Sequence, residues 1–205
     1  VEIYDITVPM QTALAVWPGD TPFRFTWNQR KRDGSSVNLG TLEMSVHTGT
    51  HADAPYHFHE GGTTIDACDL EVYCGRAVVI DVRGISIIRK EDLPPNEMVS
   101  APRVLLRTDS WLDHSRFPVS VPVLDVGVPA YLREHGVVLI GVDMPSVDPI
   151  DSKTLDNHHA LAEAGISILE SVSLSDITPG VYELIALPLK VIGADGAPVR
   201  AILRR

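Results

Sequence analysis

Apolar and polar residues fall into short stretches with two different periods along the chain. Phe23–Trp27 (FRFTW) and Leu42–His47 (LEMSVH) alternate, so each predicts a strand with one apolar face. In the second, that face is Leu42, Met44 and Val46, with Glu43, Ser45 and His47 opposite. Ala77–Val82, Arg103–Thr108, Val137–Asp143 and Tyr182–Pro188 are near-continuous runs of β-branched and aliphatic residues, the pattern of strands buried on both faces. Helical patterns are fewer. Pro129–Gly136 begins with proline and ends with glycine, then runs straight into the strand at Val137, an αβ unit. A second helix is expected from an N-cap at Asp156 to a stop at Gly165. Gly165–Leu174 reads as a strand in which Glu170 shares a face with Ile166, Ile168, Val172 and Leu174. These elements predict a mixed α/β protein with more strand than helix. No repeat or composition shift divides residues 1–205, so one domain is expected.

Composition narrows the function classes. Hydrophobic residues at 44% and charged residues at 21% exclude a largely disordered chain. The 17 Lys+Arg against 27 Asp+Glu give a net charge of −10, which argues against a nucleic-acid partner because phosphate binding needs surplus cations. No apolar run approaches the roughly 20 residues that span a bilayer, and the first residues lack the basic and apolar segments of a signal peptide. Neither a membrane nor a secretory route is expected. Cys68 and Cys74 are the two cysteines, too few for a disulfide framework, and point to a reducing cytoplasm.

One distribution departs from an average chain. Of eight histidines, four (His47, His51, His57 and His59) lie within thirteen residues. Imidazole nitrogen and carboxylate oxygen are the ligands that first-row divalent metals accept at about 2.0–2.2 Å. Gly49 and Pro55 rule out a regular helix here, so the expected arrangement is a strand ending at His47, with a turn at Gly49 that brings His51 and Asp53 back beside it. Three ligands would leave coordination positions open for water, substrate or a second metal. Farther on, Glu170 lies on an apolar face, where a carboxylate must be paired, bind a metal or reach solvent at the strand end. His158 and His159 precede it in the expected helix. Adjacent helical residues point about 100° apart, so at most one of them faces a common metal, and periodicity does not choose between them.

The segment His47-x-Gly49-Thr50-His51-x-Asp53-x-Pro55-x-His57 resembles the signature of the metal-dependent hydrolases of the cyclase family. The likeness runs from Asp5 nearly to Arg204. It includes Val16–Pro22 (VWPGDTP), Ser36–Asn38, Gly141–Pro149 (GVDMPSVDP), Asp151–Lys153, Asp156–His159, Ile168–Glu170 and Tyr182–Leu189 (YELIALPL). The WPGD and ELIALPL stretches sharpen the resemblance toward the family's formamidase branch. It implies an α/β fold of the swivelling β/β/α type, a β-barrel-like mixed-sheet core with flanking helices, assembled as a homodimer. It also implies two divalent ions, usually zinc. His47, His51 and Asp53 would hold the first and His158 the second, with Asp53 and Glu170 shared. His57 matches the family's general acid/base, and Trp17 matches a residue lining the substrate pocket. His59 and His159 fall outside the motif and receive no role.

The implied substrate is a small molecule, N-formyl-L-kynurenine, cleaved to L-kynurenine and formate in tryptophan breakdown. Two cations would acidify a bridging water and polarise the formyl oxygen. His57 would carry the proton to the departing aniline nitrogen, histidine being the side chain whose ordinary titration lies nearest neutrality. Read from the residues alone, His57 is also a candidate further ligand. Manganese or iron would suit the same ligands as zinc. Two other readings keep the site: a related amide or lactam hydrolase acting on isatin or a cyclic imide, and a non-catalytic metal-binding protein on the same fold.

Overall fold

The computed structural model describes residues 1–205. Its strands are, in chain order, β1 (Ile3–Asp5), β2 (Arg24–Gln29), β3 (Leu39–Glu43), β4 (His51–Asp53), β5 (Cys74–Asp81), β6 (Ile87–Ile88) and β7 (Arg103–Arg107). They continue as β8 (Val123–Leu124), β9 (Leu139–Val142), β10 (Ser167–Glu170), β11 (Gly180–Ile185), β12 (Gly196–Pro198) and β13 (Ile202–Arg204). Three α-helices join them: α1 (Pro95–Val99), α2 (Val128–Glu134) and α3 (Asp156–Glu163).

Nine strands form one mixed sheet in the order β1-β13-β11-β5-β7-β9-β10-β4-β12. The aliphatic runs lie at its centre, where β5, β7, β9 and β10 pair in parallel. Alternation sends their side chains to two separate cores. Val79, Leu105, Leu139 and Leu169 enter one; Val78, Ile80, Val104, Leu106, Ile140 and Ile168 enter the other, which is closed by Val128 and Leu132 of α2 and Leu161 of α3. Both faces are therefore dry along the middle of these strands, which is why their central positions are aliphatic and the polar residues of β5, β7 and β10 fall toward the ends. Each such buried aliphatic side chain contributes about 1.5–3 kcal/mol relative to an exposed one. The sheet also curls. The chain beyond β1 returns to the chain beyond β10, with Thr7 bridged to Val172 and Ser173 N donating to Ile6 O at 2.8 Å. The expected barrel-like α/β core with flanking helices is the architecture observed.

Three local expectations need correction. The strand expected over Leu42–His47 ends at Glu43, and Leu42 is exposed, because β2 and β3 form a separate two-stranded hairpin with no layer packed on it. The strand expected over Gly165–Leu174 ends at Glu170. Ser171 takes φ +57°, breaking the alternation, so Val172 and Leu174 enter the core opposite to that of Ile166 and Ile168. Asp156 does not cap α3 but is its first residue. The N-cap is Leu155, whose side chain accepts nothing. The carboxylate of Asp148 serves in its place, accepting from Asn157 N at 2.9 Å and His158 N at 3.1 Å and satisfying helix donors that lack an intrahelical partner.

Candidate metal centre

His51 and Asp53 are two residues apart on β4, so they leave the same face of the strand while Ala52 enters the apolar core. The chain enters β4 through Gly49 at φ +65°, a left-handed conformation that favours glycine. This turn carries His47 beside the strand, its ring 4.9 Å from that of His51. His47 thus stands in the turn before β4, not at the end of the preceding strand as its sequence pattern suggests. β10 runs antiparallel to β4 with Glu170 directly opposite His51. His158 arrives from the first turn of α3. His159, its neighbour, belongs to none of the ligand-type groups; both rings pack against Phe58, at 5.3 Å for His158 and 5.6 Å for His159.

The five side chains make two overlapping groups, His47–His51–Asp53 and Asp53–His158–Glu170, with Asp53 common to both. In the first, Asp53 Oδ1 lies 3.0 Å from His47 Nδ1 and 3.3 Å from His51 Nε2. In the second, His158 Nε2 lies 3.4 Å from Asp53 Oδ2 and 3.5 Å from Glu170 Oε1. Glu170 Oε2 closes the set at 3.6 Å from His51 Nε2. Two ligand atoms each about 2.1 Å from one tetrahedral cation stand about 3.4 Å apart, so the spacing fits. The directions fit as well. Although three imidazole nitrogens surround the buried Asp53 carboxylate, neither oxygen has a hydrogen-bond partner. The lone pairs therefore do not point along hydrogen bonds to one another, and a cation would satisfy these otherwise costly groups.

Each histidine of the set is held at its far nitrogen. His51 Nδ1 bonds Gly49 O at 2.8 Å, His158 Nδ1 bonds Asp148 Oδ2 at 2.6 Å, and His47 Nε2 bonds Asp195 Oδ2 at 3.0 Å. Such partners fix the tautomer that leaves the other nitrogen free to bind a metal. Val147 N donates to Glu170 Oε1 at 2.9 Å and orients that carboxylate. Burial disfavours charge on His47, but Asp53 and then Asp195 outweigh it and raise its pKa to about 9. At His158 burial is likewise outweighed, by Asp148, Asp53 and Glu170, which raise its pKa to about 12. Burial also opposes charge on Asp53, where His158, His47 and His51 prevail and hold the pKa well below the ordinary carboxylate value.

His57, at the end of the short 3-10 turn Pro55–His57, lies beside the cluster with its ring centre 4.0 Å from that of His47. Its Nδ1 donates to Asp195 Oδ2 at 3.2 Å. His47, His57 and Asp195 form a third group of ligand-type atoms, but here the contacts are true hydrogen bonds. That leaves His57 Nε2 free. The cavity in front, about 310 Å³, is lined by His47, His51, His57, His158 and Glu170. Its wall is aromatic: Trp17, Phe117 and Trp111, with ring centres 5.2 Å apart for Trp17–Phe117 and 5.8 Å for Trp111–Phe117.

All seven sequence-selected residues thus border this cavity or its cluster. Sequence reasoning missed Asp195 and Asp148 as supports, and Trp111 and Phe117 as wall. Asp148 lies within the quoted GVDMPSVDP stretch, which marks it; Asp195 sits in an ordinary GADG turn with no distinguishing signal.

Comparison with known proteins agrees. Residues 4–149 match a family model described as "Putative cyclase". The chain is 48% identical over 200 residues to a protein described as kynurenine formamidase from Bacillus mycoides, covering 98% of this chain and 96% of the relative. A solved structure described as a predicted metal-dependent hydrolase from Bacillus stearothermophilus superposes with TM-score 0.82 at 27% identity, covering 98% and 97% of the two chains. Isatin hydrolase A from Ralstonia solanacearum superposes with TM-score 0.83 at 22% identity, over 98% of this chain and 91% of that one, a likeness of fold.

Proposed function

The chain belongs to the cyclase family, and from that membership we propose that it is a metal-dependent arylformamidase converting N-formyl-L-kynurenine to L-kynurenine and formate, a step of tryptophan catabolism. One observation carries the reading: a single cavity joins the His/Asp/Glu cluster to an aromatic wall. The 48% identity to a kynurenine formamidase supports the choice of substrate. The reading takes residues 1–205 as one hydrolase domain, since one sheet draws strands from both ends of the chain.

We assign His47, His51 and Asp53 to one divalent ion and His158 to a second, with Asp53 and Glu170 shared. Zinc suits the ligands, as do manganese and iron. When bound, such ions acidify water and polarise a carbonyl oxygen, which a formamide and neutral water otherwise lack. The protein's own groups do the rest. Trp17, Trp111 and Phe117 offer flat apolar faces to the aryl ring. His57 Nε2 accepts a proton from the attacking water and passes it to the aniline nitrogen as the carbon–nitrogen bond breaks, so the amine leaves neutral. Asp195, accepting at Nδ1, keeps Nε2 turned to that task. His57 belongs to neither of the two groups that contain Asp53, which supports it as acid/base over a further ligand.

Opening of isatin or a cyclic imide would use the same cluster, but its support is a fold likeness at 22% identity. A non-catalytic metal binder would have no use for the His57–Asp195 pair. Turnover assays on N-formyl-L-kynurenine and isatin, each with and without chelator, test the reading. The formamide should be hydrolysed and the chelator should abolish it. Isatin opening without formamide cleavage would favour the lactam reading, and inactivity on both would favour a binding protein.

A homodimer belongs to the same proposal. Phe25, Trp27, Leu39 and Leu42 on the β2–β3 hairpin are 42–60% exposed. A two-stranded hairpin is marginal by itself, and apolar surface of this kind marks an interface, which a second copy would cover. Sedimentation of the wild type and of Trp27→Glu tests it: a monomeric wild type would end this part of the proposal. No helix is long and apolar enough to cross a membrane. The free cysteines Cys68 and Cys74 fit the cytoplasmic setting we assign.

A further inference from the structure

We propose that Asp20 binds the α-ammonium group of the substrate, so that the site selects aryl formamides bearing an amino-acid side chain over those that lack one. The inference rests on the aryl-formamide reading above. It concerns a lining residue of the cavity outside the metal cluster.

The WPGD stretch folds as a tight turn in which Asp20 N donates to Trp17 O at 2.9 Å. Pro18 and Gly19 occupy its two central positions, Gly19 at φ +93°, the arrangement of a type II turn. The turn therefore brings the backbones of residues 17 and 20 together, and Trp17 and Asp20 both line the cavity. Asp20 is half-buried. Its Oδ1 accepts from Thr21 N at 2.6 Å, whereas no protein donor meets Oδ2. Neither Lys nor Arg lines the cavity. Apart from Glu170 and the histidines of the cluster, Asp20 is its one ionisable lining group.

An aromatic wall continued by an unpaired carboxylate matches a particular ligand. Its ring would lie on Trp17 and Phe117, and a cation attached to the ring by a short chain would reach Asp20. The proposed substrate has that form, with its ammonium on the side chain ortho to the formamide. Its carboxylate has no cationic partner in the cavity and would face solvent. A charged hydrogen bond of this kind, partly withdrawn from water, corresponds to about a 10- to 100-fold preference.

The test compares N-formyl-L-kynurenine with 2′-formamidoacetophenone, which keeps the ring, ketone and formamide but has no amino-acid group. Metal-loaded wild type should prefer the former in kcat/KM. Asp20→Asn keeps the acceptor for Thr21 N and removes the charge. It should lower the ratio of the two kcat/KM values about 10- to 100-fold, mainly through KM for N-formyl-L-kynurenine. A merely structural role would lower both values alike and leave the ratio, and that result, or an unchanged variant, would overturn the proposal. Wild type that cleaves both formamides while Asp20→Asn keeps the ratio would refute Asp20 alone. Wild type that cleaves neither would refute the aryl-formamide reading and this inference with it.

Discussion

Asp195 lies 3.2 Å from His57, its Oδ2 accepting from Nδ1, and the same oxygen accepts from His47 Nε2 at 3.0 Å. One carboxylate thus holds both the proposed acid/base and a proposed metal ligand. Asp195→Asn should lower kcat about 10- to 100-fold, the range for partners of this kind, with a smaller change in KM. Because Asp195 acts through His57, it should cost less in a His57→Ala background than in wild type, as a double-mutant cycle would measure. Equal costs in both backgrounds would mean that Asp195 acts through His47 or the fold.

His57 itself is set apart from the proposed ligands by lying outside both groups that contain Asp53. His57→Ala should reduce turnover about 10²- to 10⁴-fold while metal content, measured by atomic emission, stays near that of wild type. Replacing Asp53 by Ala should instead strip metal, since Asp53 belongs to both ligand groups. Loss of metal from His57→Ala would make it a ligand.

Gly196, opposite Asp53 in the β4–β12 pairing, makes room for His47. A Cβ there would stand 2.8 Å from His47 Cε1 and 3.0 Å from Ala52 O. Gly196→Ala should displace the His47 ring and weaken metal binding although no ligand is removed. Overpacking of this kind costs about 1–3 kcal/mol. Metal affinity by competition with a chelating dye and stability by urea unfolding would check both effects.

The raised histidine pKa values set a pH dependence for the metal-free chain. His47 titrates near 9 when folded and near 6.5 when unfolded, so its contribution to stability is complete below about 6.5 and is lost as pH rises through 9. His158, at about 12, contributes in the same sense over a wider span. Asp53 is depressed, so its contribution is present above the ordinary carboxylate value and is lost on acidification. Metal-free protein should therefore unfold at lower urea at pH 9 than at pH 6.5. Metal must displace the protons of His47 and His158, so apparent affinity should climb with pH across that interval. Calorimetry in buffers of different ionisation enthalpy would reveal proton release on binding. A pH-independent affinity without proton release would contradict this.

Much of the site was legible in the chain because its parts are local. Gly49 and the spacing of His47, His51 and Asp53 lie within seven residues, and a turn followed by a strand suffices to gather them. The buried strands were equally legible, since Val78–Ile80 and Val104–Leu106 must avoid water on both faces whatever they pair with. The resemblance to the cyclase family chose His158 over His159, and the hydrogen bond that His158 Nδ1 donates to Asp148 supplies a physical reason for that choice.

What the chain could not reveal by itself is set by contacts between distant segments. The hairpin β2–β3 alternates like any half-buried strand pair, yet its apolar side chains remain exposed because no layer of the sheet reaches it. Glu170 stands opposite His51 only because β10 pairs antiparallel with β4. Asp195 meets His57 only because β12 pairs on the other edge of β4 and draws its preceding turn over the cluster. Periodicity along a strand reports which face a side chain takes. Strand order and register decide what that side chain meets, and those are settled by how the whole sheet buries its two cores.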